Sequence, residues 1–208
     1  MAHPAPSAPV MAAPPGSPPR VGVLAVQGDI REHVRAISDL GARPVEVRLP
    51  RDLAGLSALI LPGGESTTMR KLIDRFDLRE PLMALAQRGV PLYGTCAGMI
   101  LLARRIVDGD DPVLPLLDIA VERNGYGRQL DSFEADIAIP SLGSAPLHAI
   151  FIRAPVVSAV GPGVDVLARD ADGHAVAVRQ GQILATAFHP ELTADRRLHG
   201  LLLEMIPR

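Results

Sequence analysis

Residues 20–29, RVGVLAVQGD, form a short and nearly continuous apolar run that closes on a Gly turn, the pattern of a parallel strand covered on both faces. Ile30, Val34, Ile37 and Leu40 then recur at helical spacing, with Asp29 placed to cap the helix and Gly41 to stop it. RPVEVRLP supplies a second strand and LSALILPGG a third. TTMRKLIDRF and LREPLMALAQRG carry helical periodicity before VPLYG returns to strand. The first hundred residues therefore alternate β and α, which predicts an α/β domain of three layers, a mostly parallel central sheet with helices on both faces.

After about Asp108 the texture changes. DIAVERN, DSFEADIAIP, LHAIFIRAP, VDVLARD, HAVAVRQ and ILATAFHP read as strands separated by Gly, Pro and Asp turns, and helical spacing returns only in DRRLHGLLLEMI. Two of these strands flank RQGQ, a plausible hairpin, so antiparallel strands are expected to extend the sheet.

With 208 residues, 48% of them hydrophobic, the chain can bury one substantial core, and a single domain over residues 21–208 is expected. Residues 1–20, MAHPAPSAPVMAAPPGSPPR, are too rich in proline to build helix or sheet and read as a disordered extension without the apolar block of a secretory signal. A net charge of -2 gives no field to attract nucleic acid or an acidic membrane surface. One cysteine forms no internal disulfide, CxxC metal spacing is absent, and no apolar run approaches the length of a bilayer span. A cytoplasmic protein without a metal, acting on a small molecule or another protein, fits these features.

That single cysteine carries the candidate chemistry. An unplaced cysteine is most often a small buried hydrophobe. Cys96, however, stands where the strand VPLYG meets a helix starting near Ala97, inside Gly94-Thr95-Cys96-Ala97-Gly98. This is the cysteine form of the G-x-S-x-G nucleophile elbow, whose small neighbours permit a sharp strand-to-helix turn. Such a turn would expose the sulfur at the carboxyl edge of the sheet, where the helix start favours negative charge and the following backbone N–H can meet an oxyanion.

A thiol nucleophile needs a base and a group to orient it. His3 is in the extension, and His33, His148, His174 and His199 each lie within a helical or strand pattern, where histidines are usually surface or core residues. His189 instead follows the strand ILATAF and opens HPELT, two residues before Glu191, which could accept the imidazole N–H. Gly63 and Gly64 in LPGGESTT could present backbone N–H groups to an oxyanion or a carboxylate, although the segment lacks the lysine and spacing of a phosphate loop.

VLAVQGDIREH, LILPGGESTTMRKLID, GTCAGMILLA, VERNGYGRQLDSFEAD, FIRAP and AFHPELT together resemble segments of class I glutamine amidotransferases. PGGESTTMR and ERNGYGRQLDSFEAD are more specific, and resemble the glutaminases of pyridoxal 5′-phosphate synthesis within that family. The resemblance covers residues 21–208 and implies a flavodoxin-like fold and a Cys96, His189, Glu191 triad. It further implies an oxyanion hole from N–H groups near Gly64 and Ala97, a glutamine pocket using Gly64, Glu65, Ser66, Arg123, Ile152 and Arg153, and control through Gln27 at the carboxyl edge. The implied substrate is L-glutamine, the implied partner a synthase subunit that accepts ammonia in a large hetero-oligomer, and no cofactor is expected; the only lysine, Lys71, lies in a helical pattern. The Gly125-Tyr126 pair and the Pro-rich extension are the departures. A glutaminase serving another pathway, or a redox-sensing or binding protein of the same topology, is the alternative.

Overall fold

The computed structural model of the chain describes residues 17–107, 109, 111–123 and 132–207. The segment ERNGYGRQLDSFEAD lies partly outside these residues, as do Gly125-Tyr126 and most of the Pro-rich extension.

The expected alternation is observed: β1 (Arg20–Leu24), α1 (Ile30–Asp39), β2 (Arg43–Val47), β3 (Ala58–Leu61), α2 (Ser66–Arg75), α3 (Arg79–Gln87), β4 (Leu92–Thr95) and α4 (Ala97–Leu102). β1 stops at Leu24, so that Gln27 belongs to the turn after it and not to the strand. The second half contributes β5 (Ala103–Ile106), β6 (Leu117–Glu122), β7 (Ser132–Ile137), β8 (Leu147–Ile152), β9 (Val156–Val160), β10 (Asp165–Arg169), β11 (Ala175–Gln180), β12 (Ile183–Thr186) and the closing helix α5 (Arg197–Glu204).

Among the described residues, ten strands form one sheet in the order β2-β1-β3-β4-β12-β11-β9-β6-β5, with β10 paired to β11. The strands from β2 to β12 are mutually parallel, and β11, β9 and β10 add antiparallel neighbours. β11 and β12 are joined through Gly181, whose φ of 56° suits the tight turn read from RQGQ. β7 and β8 depart from the expectation: they pair with each other as a separate two-stranded sheet. Every residue of β3 and β4 is buried, as the centre of a parallel sheet between two helical layers requires. None of the helices, among the described residues, is long and apolar enough to cross a membrane.

The parallel register decides where chemistry can occur. Leu61 pairs with Gly94, and Thr95 with Thr186, so β3, β4 and β12 end side by side. The chain then leaves all three strands at one carboxyl edge, through Gly63-Gly64, Cys96 and His189, beside the turn after β1.

Candidate active site

The elbow is built by close packing. A Cβ on Gly94 would lie 2.6 Å from the Gly98 backbone, and one on Gly98 would collide with the backbone of Leu61. The two glycines thus let α4 settle against β4 and β3, and this approach forces Cys96 into φ 47°, ψ -104°, a conformation that L side chains rarely adopt. The strain is held by the backbone bond from Cys96 N–H to Thr186 O at 2.8 Å and by an α4 whose residues are all buried. The Cys96 sulfur lies 3.7 Å from the Ile152 carbonyl oxygen, lines the same cavity as the His189 imidazole and helps to raise its pKa.

His189 follows β12, its backbone N–H bonded to Ile150 O at 2.9 Å. Its Nδ1 meets two carboxylates, Glu191 Oε1 at 2.8 Å and Asp29 Oδ2 at 3.2 Å. Burial by itself lowers the imidazole pKa, yet hydrogen bonds with Asp29, Cys96 and Glu191 overturn that effect and it is pushed up to about 12. Burial pushes the Glu191 carboxyl up, opposed by His189.

Behind Glu191 lies a sealed polar cluster that the sequence reading left as ordinary helix histidines. His33 Nδ1 is 3.0 Å from His199 Nε2, while His33 Nε2 is 3.2 Å from Thr95 Oγ1 and 3.6 Å from Glu191 Oε1. Tyr93, buried beside them, shares a hydrogen bond with Thr186 and meets the His199 ring edge-on. Burial holds the His33 pKa well below its usual range and brings that of His199 to about 4, so both are neutral near pH 7.

A cavity of about 470 Å³ opens over the sulfur. Of the residues singled out in the sequence, Gln27, Gly64, Glu65, Ser66, Cys96, Ala97, Arg123, Ile152, Arg153 and His189 line it, and Glu191 stands buried behind the imidazole. The sequence did not single out the lining residues Asp29, Thr67 and Ile100. Glu65 reaches the cavity while its carboxylate caps α2, accepting from the N–H groups of Thr67 and Thr68, and its own N–H donates to Gln27 Oε1 at 2.8 Å. Arg123, at the end of β6, lies 3.4 Å from Thr67 Oγ1, and Arg153 follows β8 with φ 43°.

Asp29 corrects one expectation. It occupies the N-cap position of α1, yet its side chain caps nothing in the helix and turns to His189, while its N–H donates to Gly63 O at 3.2 Å. Gly63 is packed so closely that a Cβ there would collide with the His189 ring, and a Cβ on Gly28 would strike the Gly63 carbonyl. Among the described residues, two clusters bring three possible cation ligands within 4.8 Å, Asp29-His189-Glu191 and Asp170-Asp172-His174. In the first, one imidazole nitrogen faces both acids; in the second, Asp170 Oδ1 accepts the N–H groups of Asp172 and His174 in a surface turn.

Comparison with known proteins matches residues 23–208 to the SNO glutamine amidotransferase family. The pyridoxal 5′-phosphate synthase subunit PdxT of Frankia alni is 55% identical over 91% of this chain and 96% of its own length. PdxT of Acidothermus cellulolyticus is 57% identical over 92% and 96%, and that of Moorella thermoacetica 53% identical over 90% and 99%. Among solved structures, a glutamine amidotransferase at 49% identity superposes with a TM-score of 0.84, covering 89% of this chain and 98% of its own. PurLQS of Thermotoga maritima, at 17% identity and a TM-score of 0.68 over 92% of this chain and 100% of its own, shares the fold.

Proposed function

The chain belongs to the SNO glutamine amidotransferase family, and from that premise we propose that it hydrolyses L-glutamine in the cytoplasm and hands the ammonia to a synthase subunit that builds pyridoxal 5′-phosphate. The observation that carries the chemical reading is a cysteine at φ 47° that shares its cavity with an imidazole whose Nδ1 is held 2.8 Å from a buried carboxylate. The relatives named above, all called PdxT, support the pathway.

In this reading the proton of Cys96 already rests on His189, whose raised pKa keeps the imidazole charged, and the Cys96 sulfur attacks the side-chain amide carbon of glutamine. The tetrahedral oxyanion is met by N–H groups near Gly64 and Ala97. The C–N bond then breaks as His189 returns the proton to nitrogen, releasing ammonia and leaving a γ-glutamyl thioester. His189 next takes a proton from water and keeps it, and the hydroxide displaces sulfur as glutamate leaves, which restores the starting pair. Glu191 fixes the imidazole tautomer, and the acids around Nδ1 favour the imidazolium that protonates the departing nitrogen and is re-formed when water attacks. The cavity is of a size to take a free amino acid, with Arg123 and Arg153 for its carboxylate and the region of Glu65 and Ser66 for its ammonium group. The positioned imidazole and carboxylate favour acyl transfer over redox sensing, because a sensor thiol needs no group to protonate an amine.

Ammonia released into water near neutral pH becomes unreactive ammonium, so hydrolysis is useful only beside its consumer. Gln27 accepts from Glu65 N–H next to Gly64, which places it to adjust the oxyanion donors when a partner docks. Glutamate release, measured with and without the pyridoxal 5′-phosphate synthase subunit, should be weak for the lone chain and rise by about 10²–10³ in the complex, the worth of one oxyanion donor. Gln27 variants that keep the fold should lose that rise. Full activity without the partner, or no response to it, would overturn the coupling.

A further inference from the structure

We propose that Asp29 is a second positioning carboxylate for His189, sharing the Nδ1–H with Glu191 and fastening the imidazole to the loop that carries Gly63 and Gly64. The inference rests on the reading of His189 as the proton carrier and deepens it.

The two acids approach one nitrogen from different parts of the fold. Glu191 stands two residues from His189 in the same turn, at 2.8 Å, and moves with it. Asp29, at 3.2 Å, comes from the start of α1, 160 residues away in sequence. Its backbone reinforces the tie, since Asp29 N–H donates to Gly63 O at 3.2 Å while Gly63 itself lies against the imidazole. The contact is also made at the expense of a local alternative, because the Asp29 side chain forgoes the helix cap that its position invites. With 36% of its side chain accessible Asp29 lies at the cavity, whereas Glu191 is sealed beneath it. One N–H between two anionic acceptors keeps a partner when either is lost, so the imidazole retains its tautomer after a single replacement and loses it only after both.

The test compares glutamate release by the full chain bound to its synthase subunit for Asp29→Ala, Asp29→Asn, Glu191→Gln and the Asp29→Ala/Glu191→Gln double variant. Asp29→Ala alone should lower kcat about threefold with KM within about twofold, because a positioning group acts on the imidazole and not on bound glutamine. Asp29→Asn, which keeps a carbonyl acceptor in the same place, should recover about half or more of that loss. The double variant should fall about tenfold or more below the product of the single effects, the signature of two supports for one group. Effects that merely multiply, an effect confined to KM, or equal losses in the Ala and Asn variants would overturn the role of Asp29. His189→Asn separates the two levels: turnover surviving there would overturn the underlying reading, while its abolition beside multiplicative Asp29 effects would sink the Asp29 proposal alone.

Discussion

His33 shows how far the site extends beyond the atoms that touch substrate. Its two ring nitrogens face His199 and the Thr95-Glu191 side, so a neutral tautomer receiving the His199 Nε2–H at Nδ1 presents Nε2–H toward Thr95 and Glu191. Replacing His33 by Phe keeps an aromatic ring but strips both contacts, leaving buried polar groups unpartnered at a cost on the order of 1–3 kcal/mol. Chemical denaturation should register that loss, and kcat should fall together with it because Glu191 loses a neighbour. Unchanged stability and turnover would show that the cluster is inert packing. Cys96, His189 and Glu191 were legible in the sequence because the elbow and HPE are local patterns. His33, His199 and Asp29 were not, since His33 meets His199 across 166 residues and Asp29 carries the sequence signature of a helix cap.

Elements place these residues through glycine. Gly63 has no room for a Cβ, which would lie 2.7 Å from His189 Nδ1 and nearer still to Cε1. Gly63→Ala should therefore push the imidazole from Cys96 and lower kcat by about 10², the cost of misplacing a reacting group by roughly 1 Å. The fold should persist, because the clash is with a loop side chain and not with the sheet. A variant with both fold and turnover intact would mean that the ring has slack. At this scale the alternating β and α runs of the first hundred residues were legible from periodicity alone. β5 was not, because ILLARRIV runs on from α4 to β5 with no turn residue between them, and short apolar runs do not separate helix from strand. β9 was not legible because VVSAV is brief and follows Pro155 directly. The separate β7-β8 ribbon was not foreseen either, since alternation marks a strand without naming its partner.

For the whole molecule, the buried histidines make stability depend on pH. The folded pKa of His199 is about 4 against an ordinary 6.5, and that of His33 is also lowered, so the unfolded chain binds more protons below about pH 6.5. Stability should therefore drop as pH falls from about 6.5 toward 4, and a His199→Asn variant should show a shallower fall in Tm over that window. His189 works in the opposite sense: its raised folded pKa gives stability that is present below about pH 6.5 and fades as pH climbs toward 12. An acid-side slope that His199→Asn leaves untouched would show that other groups set it. The central claim, that one sulfur at the carboxyl edge of the sheet performs the chemistry, is tested most directly by Cys96→Ala. The chain contains no other cysteine, so the substitution removes every thiol at once, and an elbow sulfur contributes little packing. In complex with the synthase subunit, this variant should keep its fold and its binding of L-glutamine and release no glutamate above background. Glutamate release that survives in Cys96→Ala would contradict the account.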